Sequence, residues 1–390
     1  MNRNIFLLAL SQAAMMTTIS LVLSSSALVG AQLSSPDYAT VPLGIQYLGT
    51  MVMLYPVARL MERFGRRFIF CAGALVGAIG LACAAFGVRI GSFTLFAAAG
   101  FLIGAFGAVG QYYRFAAVDS VVPSRKNLAI SWTLTGGLLA AVAGPMLARW
   151  TKDALEPAFY ASFLSLTGVA LLGAMFAAGL SLPPMVKAEN KQARRSWSEI
   201  ASNPKLAMAI LGGVVGYAVM NLLMTATPLA MMCSRLSFAQ TAQVIQWHVI
   251  AMFAPSFFTG ALIQRIGIMP VMLLGCLLSL GSIAVSLTGI ELAHFEAALI
   301  LLGIGWNFLY VGATALLTEN CRKEEAARVQ ALNDTLVFLG VTAATLFSGA
   351  MVNALGWQTL NLYAILPILV VMAGLVRLMK WPRLSWFREG

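Results

Sequence analysis

Charge is what this chain has least of. Of 390 residues only 10% are Asp, Glu, Lys or Arg, against about 25% in a soluble globular domain. Histidine is rarer still, with two residues, His248 and His294. So few charges cannot cover a water-exposed fold of this length, which excludes a soluble protein. The five cysteines, Cys71, Cys83, Cys233, Cys276 and Cys321, show no paired spacing, so a disulfide framework is not expected. Neither a Walker-type phosphate loop, a zinc motif nor a serine–histidine–acid arrangement occurs in the sequence. ATP hydrolysis and enzymatic activity are therefore not expected, and no organic cofactor is implied.

Apolar runs are what the chain has in abundance. Sixty per cent of the residues are hydrophobic and the mean hydropathy is +0.85. Twelve runs stand out, near 5–29, 40–58, 68–88, 92–118, 127–149, 157–181, 205–232, 240–263, 268–288, 293–316, 326–354 and 358–378. Each is long enough to cross a hydrocarbon core of about 30 Å as a helix. The first run follows Arg3 and precedes Val29-Gly30-Ala31 in the manner of a cleavable signal, but its apolar stretch is too long for one and reads as a retained span.

The 25 Lys and Arg residues outnumber 14 acids, and their placement argues against a nucleic-acid partner. Alternate loops and the two ends hold twenty of them, including Arg59, Arg63, Arg66, Arg67, Lys187, Arg194, Arg322 and Arg377. The intervening loops hold four, Arg89, Arg149, Lys152 and Arg235, leaving Arg114 within a span. That bias predicts both termini on the cytoplasmic side. The expected setting is membrane lipid, crossed many times by a monomer.

The polar stretch at 183–204 divides the chain into bundles at 1–182 and 205–390, each with six spans. The halves echo each other. Glu62-Arg63-Phe64-Gly65-Arg66 after span two is answered by Gln264-Arg265-Ile266-Gly267-Ile268 after span eight, and Gln111-Tyr112-Tyr113 by Asn307-Phe308-Leu309. Two six-helix repeats around a site near mid-membrane is an alternating-access architecture. The loop Ala58-Arg59-Leu60-Met61-Glu62-Arg63-Phe64-Gly65-Arg66-Arg67 resembles the signature between helices two and three of the major facilitator superfamily, with Ala58 and Glu62 where that pattern has Gly and Asp. The resemblance implies an all-α membrane fold of twelve helices in two pseudo-symmetric bundles. It also implies a cytoplasmic gate of Glu62, Arg63, Gly65 and Arg66, with Asp119 pairing Arg63 or Arg66 and Glu62 facing the start of helix eleven, where the dipole favours an anion. The competing reading is that these charges only anchor the loop among lipid headgroups.

Soft side chains inside the spans form one constellation. Met220 and Met224 are four apart, as are His248 and Met252, and residues four apart share a helix face. Counted inward from the loop joining spans seven and eight, His248 is level with Met224 and Met252 with Met220, roughly 12 and 18 Å deep. Thioether and neutral imidazole suit copper, above all Cu(I). A chain with 20 methionines holds about one Met-x-x-x-Met by chance, whereas His-x-x-x-Met is expected about 0.1 times. Methionine also fills gaps between helices, and His248 could equally hydrogen-bond a neighbouring helix, but an ionisable group at that depth is a functional candidate. Cys233, just beyond the methionines, is a candidate accessory ligand.

The spacing is similar to that of the CcoA-like bacterial copper importers, a branch of the same superfamily. The resemblance implies Met220, Met224, His248 and Met252 as copper residues, copper ion as cargo, import supplying cytochrome oxidase assembly, and copper chaperones as partners. That branch is also similar to bacterial riboflavin carriers, so an organic solute, or export of a drug, stays open as the alternative. Further cavity or proton-coupling candidates are Tyr112, Arg114, Asn307, Tyr310 and Asp334. Arg114 would favour a carboxylate-bearing cargo, or else pairs with Asp119 or snorkels to the surface.

Overall fold

A computed structural model describes residues 3–122, 126–182, 199, 202–322 and 325–384. Among these, every regular element is helical. Helix one is Arg3–Leu33, helix two Val41–Phe64 and helix three Arg66–Arg89. Helix four runs Phe93–Gly110 and resumes as Tyr113–Asp119, and helices five and six are Lys126–Thr151 and Tyr160–Ala178. Helix seven is Pro204–Cys233, helix eight Phe238–Phe253 continued by Ser256–Ile266, helix nine Ile268–Thr288 and helix ten Leu292–Asn320. The long helix Ala326–Leu384 turns at Gly356, whose φ is 78°, which separates helix eleven (326–355) from helix twelve (357–384). The twelve spans form the expected two six-helix bundles. Most of the 183–204 segment and the last residues, 385–390, lie outside the described residues.

Local chemistry explains the starts and breaks. Asn203 caps helix seven by accepting from the amides of Lys205 and Leu206, with Pro204 in the first turn. Ser237 and Gln240 form a reciprocal capping box at the start of helix eight. Pro255 lacks an amide hydrogen and breaks the same helix, whose two pieces meet at 42°.

The repeat is written into the backbone as well as the sequence. Gly65 (φ 84°, ψ 151°) and Gly267 (φ 90°, ψ 164°) end helices two and eight in nearly the same conformation. That region is costly for any residue with a Cβ, which is why glycine recurs there 202 positions later.

The halves meet through helix two against helix eleven, helix five against helix eight, and helix one against helices seven and eight. A two-fold carrying helix two to eight and five to eleven exchanges the first two contacts. Within the N-terminal half, helices two and four cross closely, because a Cβ on Gly104 would stand 2.0 Å from the Gln46 carbonyl oxygen. Small residues let membrane helices approach in this way. Large apolar side chains such as Tyr55, Phe68, Trp150 and Leu366 are left exposed around the outside, as a lipid-facing belt requires.

Candidate cargo site

A cavity of about 80 Å³ lies between the two halves. Helices one, two, four and five supply Met16, Ser20, Gln46, Tyr47, Thr50 and Gln111 with small residues at 137, 140 and 141, while helices seven, eight and eleven supply Tyr217, Met220, Asn221, Met224, Met252, Phe253 and Phe338. No described residue of the lining is charged.

The polar side chains collect in two places. Tyr47 donates to Asn221 Oδ1 at 2.9 Å, and Asn221 donates in turn to Thr345. Thr50 donates to the carbonyls of Gln46 at 3.2 Å and Gly104 at 3.0 Å. The C-terminal wall is aromatic and backed by more rings. Tyr217 lies 5.3 Å, edge to face, from both Trp306 and Tyr310, and those two stack at 5.2 Å and 11°.

Three of the four expected soft ligands, Met220, Met224 and Met252, line this cavity, joined by Met16, which sequence reasoning did not single out. His248 is fully buried but is not in the lining. Its Nδ1 donates to the Leu299 carbonyl of helix ten at 2.7 Å, and its Nε2 is buried without a partner among the described residues. The imidazole therefore faces a neighbouring helix and keeps one free lone pair. Cys233 is an exposed thiol at the end of helix seven.

The other candidates separate. Arg66 pairs with Asp119 at 2.6 Å, joining the start of helix three to the end of helix four. The Glu62 carboxylate lies 3.9 Å from Arg59, one turn away on its own helix. Arg63 lies over the Phe64 ring. Tyr112 donates to the Leu54 carbonyl at 2.9 Å, Arg114 lies 4.9 Å over Phe115, and Asp334 accepts from Asn333 at 3.1 Å. None of Tyr112, Arg114, Asn307, Tyr310 and Asp334 is in the cavity lining.

Asn307 has a different task. Its Nδ2 donates to the Met252 carbonyl and to Ser256 Oγ, each at 2.7 Å, and its Oδ1 accepts from Thr259 at 2.7 Å. The break at Pro255 leaves helix-eight carbonyls short of amide donors, and Asn307 supplies one. It mends the kink and so holds Met252 in place.

The family model described as the Major Facilitator Superfamily matches residues 5–345 and 237–385. The chain belongs to that superfamily. It is 40% identical over 374 residues to "Riboflavin transporter RfnT" of Brucella anthropi, covering 95% of this chain and 94% of that protein. It is 28% identical over 410 residues to "Uncharacterized MFS-type transporter YdeG" of Bacillus subtilis, covering 99% and 92%. Two solved structures share its fold. The nucleoside transporter NupG gives a TM-score of 0.72 at 13% identity over 97% of this chain and 100% of that one. A bacterial homolog of the human lysosomal transporter Spinster, inward-facing and occupied, gives 0.74 at 14% over 96% of each. This chain is thus a secondary transporter, related to bacterial riboflavin carriers.

Proposed function

We propose that the cargo is an uncharged, planar organic solute of the riboflavin type, carried through the central cavity. The observation that carries this reading is the lining itself. Three carboxamides, Gln46, Gln111 and Asn221, share the chamber with the rings of Tyr47, Tyr217, Phe253 and Phe338, and no described residue of the lining is charged. Rings offer faces for stacking, and neutral amides hydrogen-bond a polar edge without demanding a counter-ion. The Brucella anthropi relative, at 40% identity, carries riboflavin in its name, which supports the same cargo class. The halves part during transport, so the lining bounds the chemistry of the cargo while the volume of about 80 Å³ does not bound its size.

In this reading the face carrying Arg59, Arg63, Arg66 and Arg67 is cytoplasmic, the membrane is the bacterial inner membrane, and the carrier acts as a monomer without an organic cofactor. Arg66 and Asp119 brace the cytoplasmic gate. The test is uptake of labelled riboflavin into sealed proteoliposomes and growth rescue of a riboflavin auxotroph lacking its own importer. Saturable uptake and rescue are expected; failure of both removes the proposal.

A second reading, copper import for cytochrome oxidase assembly, is favoured by one observation. His248 has the arrangement of a metal-ligating imidazole, with one nitrogen oriented by a carbonyl and the other free, on a helix whose Met252 lines the cavity beside Met220 and Met224. Under this reading copper is the cargo and copper chaperones receive it. It requires cellular copper uptake that His248→Ala abolishes at unchanged membrane level. Copper uptake equal to that of cells lacking the carrier sinks it.

A further inference from the structure

Two polar atoms belonging to the cavity lining have no partner among the described residues. Gln46 Oε1 and Ser20 Oγ are both buried and both unmatched, in residues each 3% exposed that face the same chamber from helices two and one. A buried polar group left unmatched is costly, and nearly all such groups in folded proteins have a partner. Their neighbours are satisfied: Tyr47 and Asn221 bond each other, and Thr50 bonds two carbonyls.

The Gln46 backbone is held firmly. Gly104 of helix four sits against its carbonyl with no room for a Cβ, and Thr50 ties the same carbonyl to that of Gly104. Only the carboxamide is left to turn, and it carries an acceptor and an NH₂ donor side by side. Across the chamber stand Tyr217, Phe253 and Phe338 of the other half. Tyr217 is 6.3 Å from Phe338, and Phe253 is 6.3 Å from Trp306 behind it.

We propose that Gln46 and Ser20 read the hydrogen-bonding edge of the cargo while the aromatic wall takes its face. The edge that fits is a ring N–H beside a carbonyl, as in a cyclic imide. Gln46 Oε1 accepts from the N–H, Gln46 Nε2 donates to the adjoining carbonyl, and the Ser20 hydroxyl donates to the second carbonyl. The N-terminal half therefore sets which heteroaromatic is accepted, and the C-terminal half holds any flat ring. This inference rests on the organic-cargo reading and adds to it the residues that choose among flavins.

The test uses the purified full-length transporter and quenching of flavin fluorescence. Riboflavin is compared with N3-methylriboflavin, which lacks the imide N–H, on the parent, Gln46→Leu and Ser20→Ala. The parent is expected to prefer riboflavin by about tenfold, the value of one good hydrogen bond. Gln46→Leu should lose about thirtyfold on riboflavin, with both bonds gone, and about threefold on the methylated flavin, with only the carbonyl bond gone, so that the tenfold preference disappears; Ser20→Ala should weaken both flavins by about threefold. Equal losses on the two flavins in Gln46→Leu, or a parent indifferent to the methyl group, overturn the assignment while leaving a flavin carrier intact. If Gln46→Leu does not fold, the parent's preference together with Ser20→Ala decides. No flavin binding by the parent overturns the cargo reading and this inference together.

Discussion

The Tyr47 hydroxyl donates to Asn221 Oδ1 at 2.9 Å, and this bond crosses from the N-terminal half to the C-terminal half beside the cavity. Asn221 hands the connection on to Thr345, whose hydroxyl donates to the Val341 carbonyl at 2.8 Å. Helices two, seven and eleven are thus joined by one buried chain of polar groups. An alternating-access carrier has to change its contacts between halves during each cycle, so this link biases the balance between states.

Replacing Tyr47 by Phe removes the crossing bond and leaves Asn221 Oδ1 unmatched. The expected cost to the linked state is about 1 kcal/mol, roughly a fivefold change in the ratio of states. Spin labels at Tyr38 and Leu355, both exposed and in opposite halves, report that ratio as a distance distribution. A distribution identical to the parent's would show that the bond carries no bias.

Asn307→Ala takes the donor away from the Met252 carbonyl and from Ser256, and the acceptor away from Thr259. Three groups lose a partner inside the membrane, where water does not replace it. A loss of about 2–4 kcal/mol is expected. It should appear as a clear fall in the unfolding temperature followed by size-exclusion fluorescence. Asn307→Asp retains the acceptor and loses the donors, so its stability should fall close to that of the alanine variant. An asparagine that contacts cargo without mending the kink would instead weaken transport at unchanged stability.

Arg66 and Asp119 are expected to behave as a pair. The Asp119 side chain is 48% exposed, so screening holds the interaction to about 1 kcal/mol. Either single alanine variant should slow transport, and the exchange Arg66→Asp with Asp119→Arg should recover much of it. Additive losses in the exchanged protein would show that the two charges act separately.

The fold was legible because membrane spanning is an average property. Run lengths and loop charges locate twelve spans without any knowledge of packing, and the echo of Gly65 in Gly267 exposed the repeat. The interruption of helix four at Gln111 and Tyr112 was not legible, since nothing in the apolar run announces it, whereas Pro255 was a visible sign of the bend in helix eight. Spacing alone placed Met220 with Met224 on one face, and both do reach the cavity. It also put His248 on the face of Met252, which does reach the cavity, but could not show the Leu299 carbonyl of helix ten that holds the imidazole aside. Ser20, Gln46, Gln111 and Asn221 were missed because soft metal ligands were sought. The available signal was an uncharged polar side chain inside an apolar run, a group that needs a partner in lipid. The bonds of Asn307 at the kink were not legible, because the part of helix eight it meets lies some fifty residues away in sequence.

The face opposite the arginine-rich loops is held shut by contacts between the halves. Asp37, between helices one and two, accepts from Asn353 of helix eleven at 2.7 Å. Nearby, Thr40 accepts from the Gly349 amide at 3.1 Å and lies 3.4 Å from the Leu346 carbonyl, while the Phe159 and Phe238 rings meet edge to face at 5.1 Å. Loading cargo from that side requires these bonds to part. Cysteines introduced as Asp37→Cys and Asn353→Cys, with Cys233→Ser to remove the exposed native thiol, should be joined by a short thiol-reactive crosslinker. Because Asp37 and Asn353 are exposed, their own bond contributes well under 1 kcal/mol, and each single substitution should transport at close to the parent rate. The crosslinked protein should transport nothing, and reduction of a cleavable crosslink should restore the rate. Full transport with the crosslink in place would mean that this face does not open, and that cargo enters and leaves by another route.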